Sequence, residues 1–205
     1  MKALALTVGP LQENAYLVET PEGAIFIDPG DEAERLLALA ENAGLAPRAI
    51  LLTHAHFDHL GAVAPLVEAL DLPVYLHPLD LPLYRRAPEA AARWGLAVPP
   101  PPLPTRPLEE GLEVFGFTVW HLPGHSPGHV AFLRKGEVFS GDLLFRGSIG
   151  RYDLPGADPR TLFRSLRRLL TLPPETRIHP GHGPGTTLGL EARTNPFLAG
   201  LEWEA

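Results

Sequence analysis

Thr53-His54-Ala55-His56-Phe57-Asp58-His59 places three imidazoles and one carboxylate within six consecutive positions, 54–59. The apolar run before it, residues 49–52 (Ala-Ile-Leu-Leu), reads as a buried strand. The polar cluster therefore begins where a strand ends, a usual place for sites in α/β proteins. His54 and His56 are two apart, so in extended chain they point to the same side. Asp58 and His59 are neighbours and diverge unless the chain turns. One short loop can thus serve one cation with the first pair and another with the second. Nitrogen and oxygen donors of this kind suit zinc, iron or manganese. A lone histidine would be read as a polar group satisfied by hydrogen bonds; H-x-H-x-D-H after an apolar strand is too dense in donors for that reading.

Outward from this loop, strands and helices alternate. Residues 2–8, 15–19 and 24–27 read as strands joined by turns at Gly9-Pro10 and Pro21-Glu22-Gly23. Asp28 follows the third, either as a turn-capping carboxylate or as a brace beneath a metal site. Residues 31–43 read as a helix capped by Asp31, with Glu34 at capping-box spacing and Gly44 closing it. Residues 60–70 read as a second helix, with Pro65 tolerable in its first turn or at a kink. A short strand, 73–76, ends at His77, which reads as structural because it stands alone. Residues 79–92 are expected to be helical in pieces, interrupted by Pro82 and Pro88. The proline run within residues 98–104 must be extended and reads as a rigid surface loop.

The second half repeats the pattern. Residues 112–115 and 117–121 read as strands, and 130–133 with 138–140 as a hairpin about Lys135-Gly136. Asp158-Pro159 starts a helix whose apolar face is Leu162, Phe163, Leu166, Leu169 and Leu170. Residues 177–179 form a last strand. His125, Asp142 and His182 each stand where an apolar strand gives way to a glycine-containing loop, the local setting of His54–His59. Glycine beside such a residue lets backbone approach closely. His121, His129 and His179 flank these loops and read as structural, as do Thr53 and Ser126.

Composition narrows the function classes. At 205 residues the chain is expected to be one domain, residues 1–205, with 45% apolar residues to build a core. A formal charge of −7 argues against a nucleic-acid partner held by a broad basic surface. With no cysteine, any metal must use His, Asp, Glu or water. No apolar run is long enough to span a bilayer, and the N-terminus is too short and too soon broken for a signal peptide. A cytoplasmic protein with no membrane association is expected, its oligomeric state open. Abundant proline (24) and scarce Gln and Asn fit a heat-stable protein, although GC-rich coding would give part of the same bias.

Taken together, His54-Ala55-His56-Phe57-Asp58-His59, His125, Asp142 and His182 resemble the ligand pattern of the metallo-β-lactamase-fold hydrolases. The spacing is most similar to the glyoxalase II-like (hydroxyacylglutathione hydrolase-like) branch, as are Pro123-Gly124-His125-Ser126-Pro127-Gly128-His129, Ser140-Gly141-Asp142 and Pro180-Gly181-His182-Gly183. The resemblance covers roughly residues 1–195. It implies an α/β fold, a four-layer αβ/βα sandwich with the site at one edge. It implies two divalent metal ions, zinc being expected and iron or manganese the alternatives. His54, His56 and His125 would hold one, Asp58, His59 and His182 the other, and Asp142 would bridge them. It implies a small thioester or ester substrate, hydrolysed by a metal-bridging hydroxide, with Asp58 as the catalytic residue passing a proton to the leaving group. A thiolate leaves easily, so thioesters suit this design.

The resemblance also marks departures. The chain is expected to be a short form without the longer helical C-terminal region of the glutathione thioesterases. Arg151 stands where those enzymes have a basic contact, while Asp153 falls where an aromatic hydroxyl belongs. Arg151 and Tyr152 are therefore the candidate substrate contacts, the alternative being a surface salt bridge. A lactonase or other small-ester hydrolase stays open. So does a persulfide dioxygenase with one iron on His54, His125 and Asp142, since Gly150-Arg151 followed by Asp153 is similar to a stretch of those enzymes.

Overall fold

The computed structural model describes residues 2–199, so the expected domain of residues 1–205 extends past them at both ends. The first half contains β1 (Ala3–Val8), β2 (Glu13–Thr20), β3 (Gly23–Ile27), α1 (Ala33–Ala43), β4 (Pro47–Leu51), α2 (Val63–Leu70), β5 (Val74–Leu76), α3 (Leu81–Arg85), α4 (Ala87–Ala92) and β6 (Arg106–Pro107). Its strands form one sheet in sequence order. β1, β2 and β3 pair antiparallel, and β3, β4, β5 and β6 pair parallel. The second half contains β7 (Glu113–Val114), β8 (Phe117–His121), β9 (Val130–Arg134), β10 (Glu137–Gly141), β11 (Leu144–Phe145), β12 (Ser148–Ile149), α5 (Pro159–Leu169), β13 (Arg177–Pro180), β14 (Thr186–Thr187) and α6 (Leu188–Thr194). Its main sheet runs β14-β13-β10-β9-β8-β7, with β11 and β12 as a separate pair.

The period-two pattern of the strands explains the layering. Along β2, β3 and β4, Leu17, Phe26 and Ile50 face the helices α1 and α2, packing with Leu36, Ala40, Val63 and Leu66. The alternate residues Val18, Ile25, Ile27 and Leu51 face the second sheet and meet Phe117, Val119, Phe132 and Phe139. On the far side, Ala131 and Val138 pack against Leu162, Leu166 and Leu169 of α5. Helix, sheet, sheet and helix therefore form four layers, the sandwich the sequence implied. Strands covered on both faces are apolar on both faces, as β2 and β4 are.

Local signals were read correctly where the chemistry is local. Asp158 caps α5 by accepting from the Thr161 N–H at 2.7 Å, with Pro159 at the first position. Gly44 closes α1 at φ 66°, and Lys135-Gly136 turns the β9–β10 hairpin with both residues at positive φ. Pro65 falls in the first turn of α2, and Pro82 and Pro88 lie in the first turns of α3 and α4, so these prolines start the helices and do not interrupt them. Asp31 does not cap α1. The residue before the helix is Glu32, in left-handed conformation with no side-chain cap bond, and Asp31 accepts from the Glu32 N–H instead. Residues 96–104 contain no helix or strand, and the Tyr84 hydroxyl donates to the Pro102 carbonyl at 2.6 Å. No helix among the described residues is long and apolar enough to cross a membrane.

The inter-sheet layer should dominate stability. Phe132 is fully buried there and lies 6.3 Å, centroid to centroid, from Phe117. Phe132→Ala is expected to cost about 3–5 kcal/mol in urea unfolding, and Leu133→Ala, on the opposite face and only partly buried, clearly less. Equal losses would show that the two sheets do not share this core.

Candidate metal centre

Four loops converge at one edge of the sandwich. The first leaves β4, runs through His54 and His56, and folds into a short 3₁₀ turn, Phe57–His59. That turn reverses the chain between His56 and Asp58, so the second pair of side chains comes round beside the first. Three loops of the other sheet face it: the β8–β9 connection carries His125, and the segments after β10 and β13 carry Asp142 and His182. β10 and β13 are parallel, which brings their C-terminal ends to the same edge.

All seven sequence-predicted donors meet there. His54, His56 and His125 offer ring nitrogens within 4.8 Å of one another, and Asp58, His59 and His182 form a second trio of the same dimension. Asp142 lies between them: its Oδ1 is 3.3 Å from His59 Nε2, and its Oδ2 is 3.6 Å from both His125 Nε2 and His182 Nε2. Asp58 Oδ2 is 3.2 Å from His182 Nε2.

Hydrogen bonds on the outer side of each ring decide which nitrogen carries the proton. His125 Nδ1 faces the Arg151 carbonyl at 2.8 Å, His182 Nδ1 the Leu11 carbonyl at 3.1 Å, and His59 Nδ1 the Asp28 carboxylate at 3.2 Å. His54 Nδ1 lies 3.0 Å from Thr53 Oγ1, which itself donates to Asp28 at 2.6 Å. In these four rings an oxygen at Nδ1 holds a proton, and Nε2 turns inward. At His59 burial opposes protonation, but Asp142 and Asp58 outweigh it and raise the pKa. At His182 Asp58 and Asp142 do the same, so a cation would displace an inner proton at both rings. His56 presents Nδ1 instead, 2.9 Å from His125 Nε2. Asp28 is thus the brace of the first loop: it accepts from the Thr53 N–H and hydroxyl and from His59, and it also forms a compact buried trio with His54 and His59. Thr53, read from sequence as structural, does bond to a ring of the cluster. Ser126 does not; its hydroxyl donates to Asp80.

The electrostatics suit a cation. Burial holds the His54 pKa well below the ordinary imidazole value, and the neighbouring rings His59, His56 and His125 add to the effect. Burial and His125 bring His56 down to about 3. Both rings are therefore neutral, as a donor must be. Burial opposes ionisation of Asp142, but His59, His125 and His182 outweigh it and hold this carboxyl below its usual range. His54 Nε2, His59 Nε2 and Asp142 Oδ1 are buried without a well-formed hydrogen bond among the described residues, the last two facing each other at 3.3 Å as an ion pair. Leaving such an atom unmatched costs about 1–3 kcal/mol, and these three belong to side chains of one cluster. The donor set fits divalent metal ions.

The family model of the metallo-beta-lactamase superfamily matches residues 8–182. The chain belongs to the metallo-beta-lactamase superfamily. Among its relatives, the probable metallo-hydrolase YqgX of Bacillus subtilis (strain 168) is 40% identical over 98% of this chain and 99% of that one. Hydroxyacylglutathione hydrolase GloC of Haemophilus influenzae is 41% identical over 94% of this chain and 96% of that one. A solved structure, TTHA1623 in a di-iron-bound form, is 77% identical, covers 95% of this chain and 100% of that one, and superposes with a TM-score of 0.94. The superfamily assignment agrees with the four-layer architecture and with the position of the cluster at the sandwich edge.

The other histidines sit apart or beneath. His77 stacks on His121 with centroids 4.2 Å apart and planes 10° apart, and His179 stacks on Phe139. His129 is fully buried 5.3 Å from the His54 ring, held neutral by burial first and then by His125. Arg151 approaches the cluster with its backbone; its guanidinium pairs with Asp153 at 2.9 and 3.0 Å in solvent. Tyr152 is exposed beside Phe163.

Two buried carboxylates near the loop went unread in the sequence. Glu13 is buried with neither oxygen hydrogen-bonded among the described residues, 3.7 Å from His59 Nδ1, and burial raises its pKa well above the usual value. Asp80 accepts from the Ala55 N–H at 3.0 Å. Glu13 begins a strand and Asp80 follows one, but a single acid at a strand end is too common a pattern to single out.

The Asp28 brace makes a testable demand. Asp28→Asn keeps the volume but sets an NH₂ group against the Thr53 N–H or the His59 Nδ1–H. A loss of about 1–3 kcal/mol is expected in chemical denaturation of the chelated protein. Unchanged stability would mean that the carboxylate does not hold the loop.

Proposed function

We propose that this protein is a metal-dependent thioester hydrolase of the hydroxyacylglutathione type, acting on a small soluble substrate in the cytoplasm. The observation that carries the reading is the set of buried donor atoms without a well-formed hydrogen bond among the described residues, turned inward from rings whose outer nitrogens are already bonded. GloC, of similar length and 41% identical, supports the substrate class. The two trios joined by Asp142 support two divalent ions: His54, His56 and His125 for one, Asp58, His59 and His182 for the other, with Asp142 between. The di-iron form of TTHA1623 supports iron as strongly as the nitrogen–oxygen donor set supports zinc.

When bound, such ions supply Lewis acidity and bring the pKa of coordinated water towards neutrality, to about 7 for zinc. The residues do the rest. Leu11, Asp28, Thr53 and Arg151 hold the outer nitrogens of four of the five imidazoles, and a bound cation would take the place of the inner protons that the carboxylates favour on His59 and His182. Asp58 is the less buried of the two central carboxylates, with its side chain 16% exposed. Burial opposes its ionisation but His59 and His182 outweigh it, so it would take the proton given up by the attacking water and pass it to the departing sulfur. Arg151 and Tyr152 are the substrate contacts. The Arg151–Asp153 pair is solvent-exposed and weak, so a substrate carboxylate can replace Asp153 on the guanidinium.

Metal content per chain by mass spectrometry, followed by an S-2-hydroxyacylglutathione hydrolysis assay on the same sample, tests the proposal. Two metals per chain, turnover lost at least ~100-fold on chelation and restored by Zn²⁺ or Fe²⁺ are expected. Full turnover after chelation would sink it. One iron per chain, with oxygen consumed on glutathione persulfide and no thioester cleaved, would replace it by the dioxygenase reading. Arg151→Ala should raise KM about tenfold with kcat held, since it removes a contact made before and during reaction; an unchanged KM would return Arg151 to a surface role.

A further inference from the structure

Asp80 lies outside every donor group of the metal centre yet reaches both loops that carry its three-histidine half. It ends a 3₁₀ turn, Pro78–Asp80, that follows β5 directly. β5 pairs parallel with β4, so its C-terminal end lies at the edge where the His54 loop begins. The side chain is fully buried. Its Oδ2 accepts from the Ala55 N–H at 3.0 Å and from the Ser126 hydroxyl at 2.7 Å, and its Oδ1 accepts from the Gly128 N–H at 2.6 Å.

The three donors are not scattered. Ala55 separates His54 from His56, so a bond to its N–H holds the extended segment in which both rings point one way. Ser126 follows His125, and Gly128 lies in the same loop. The first loop belongs to one sheet and the second to the other, so Asp80 spans the two halves of the molecule at the point where their histidines meet. The fit is close on the second side: a Cβ at Gly128 would stand 2.7 Å from the Asp80 nitrogen and 2.9 Å from Oδ1. Stacking of His77 on His121, whose Nε2 lies 3.0 Å from the Pro127 carbonyl, fixes the same junction from outside.

The other trio is held by different means. His59 depends on Asp28, and His182 depends on the Leu11 carbonyl and on the pairing of its loop with β2. None of these bonds involves Asp80. We infer that Asp80 is a positioning residue for one half of the site alone: it fixes the His54–His56 loop against the His125 loop, and its loss weakens cation binding by those three histidines while leaving Asp58, His59 and His182 competent. The inference rests on the two-cation reading proposed above.

The test uses the full chain, stripped by chelation and titrated with Zn²⁺ in competition calorimetry, with imidazole ¹⁵N shifts reporting which rings bind. Wild type should take two ions. Asp80→Asn, which sets an NH₂ against one of the three donors, should weaken one of them by about 10–100-fold, with the ¹⁵N changes lost from His54, His56 and His125 and kept in His59 and His182. Ser126→Ala removes one bond and spares the carboxylate; it should weaken the same ion less. Two unchanged affinities in Asp80→Asn, or losses falling on His59 and His182, would overturn the inference. Should that variant fail to fold, unchanged binding in Ser126→Ala overturns it. A wild type that takes fewer than two ions overturns the two-cation reading itself, a result separate from any effect of Asp80.

Discussion

The site depends on how the first sheet grips the last loop of the second. Asn14 Nδ2 donates to the Pro180 carbonyl at 3.1 Å and to the Gly183 carbonyl at 2.7 Å, and the Tyr16 hydroxyl donates to the Pro180 carbonyl at 2.6 Å. The Asn14 N–H adds a bond to the Gly181 carbonyl at 2.7 Å. Apolar burial between the sheets is non-directional and does not choose a register to within an ångström. Hydrogen bonds from β2 to the two residues before His182 and the one after it do. Without them the two halves would still pack, but His182 would have no fixed distance from Asp58.

The same edge shows where stability has been given up. Buried imidazoles and carboxylates cost desolvation, and atoms of His54, His59, His129, Asp142 and Glu13 have no hydrogen bond among the described residues. The surroundings limit that cost at four rings of the cluster by bonding their outer nitrogens, through Thr53, Asp28, Leu11 and Arg151. A fold optimised for stability alone would place apolar side chains here, and the inter-sheet phenylalanines a short way along the same sheets show that it can. Glycine serves the crowding at this edge: a Cβ at Gly181 would collide with Asp142 Oδ1 and with the His59 ring.

Much of this was legible in the sequence, for a physical reason. A ligand loop after a strand is a local pattern, and its meaning survives without knowing the partner; His54, His56, Asp58, His59, His125, Asp142 and His182 were all read that way. The strands were read by period two and α5 by its Asp158-Pro159 start. Asp80 was not, because its significance lies in groups 25 to 48 residues away. Asn14 was passed over for the same reason, its partners lying 166 and 169 residues on. β6, β11, β12 and β14 have two residues each, too few to show a period. The start of α1 was misplaced because Glu32 adopts φ 54°, a conformation its side chain does not announce.

The supports around the centre are unequal, and the inequality follows from topology. One trio draws two of its histidines from a single extended segment and the third from a loop in the opposite sheet, so a single carboxylate set between them can hold all three. The other takes Asp58 and His59 from a 3₁₀ turn and His182 from the loop after β13, and the outer hydrogen bonds on its two sides go to different groups. Its two sides are anchored separately, to Asp28 and to β2. On the first side one residue, Asp80, joins both loops in addition to the Thr53–Asp28 and Arg151 bonds, whereas on the second the support is spread through the sheet pairing. A substitution can remove the first kind of support cleanly. The second kind can be loosened only together with the packing that holds the sandwich closed.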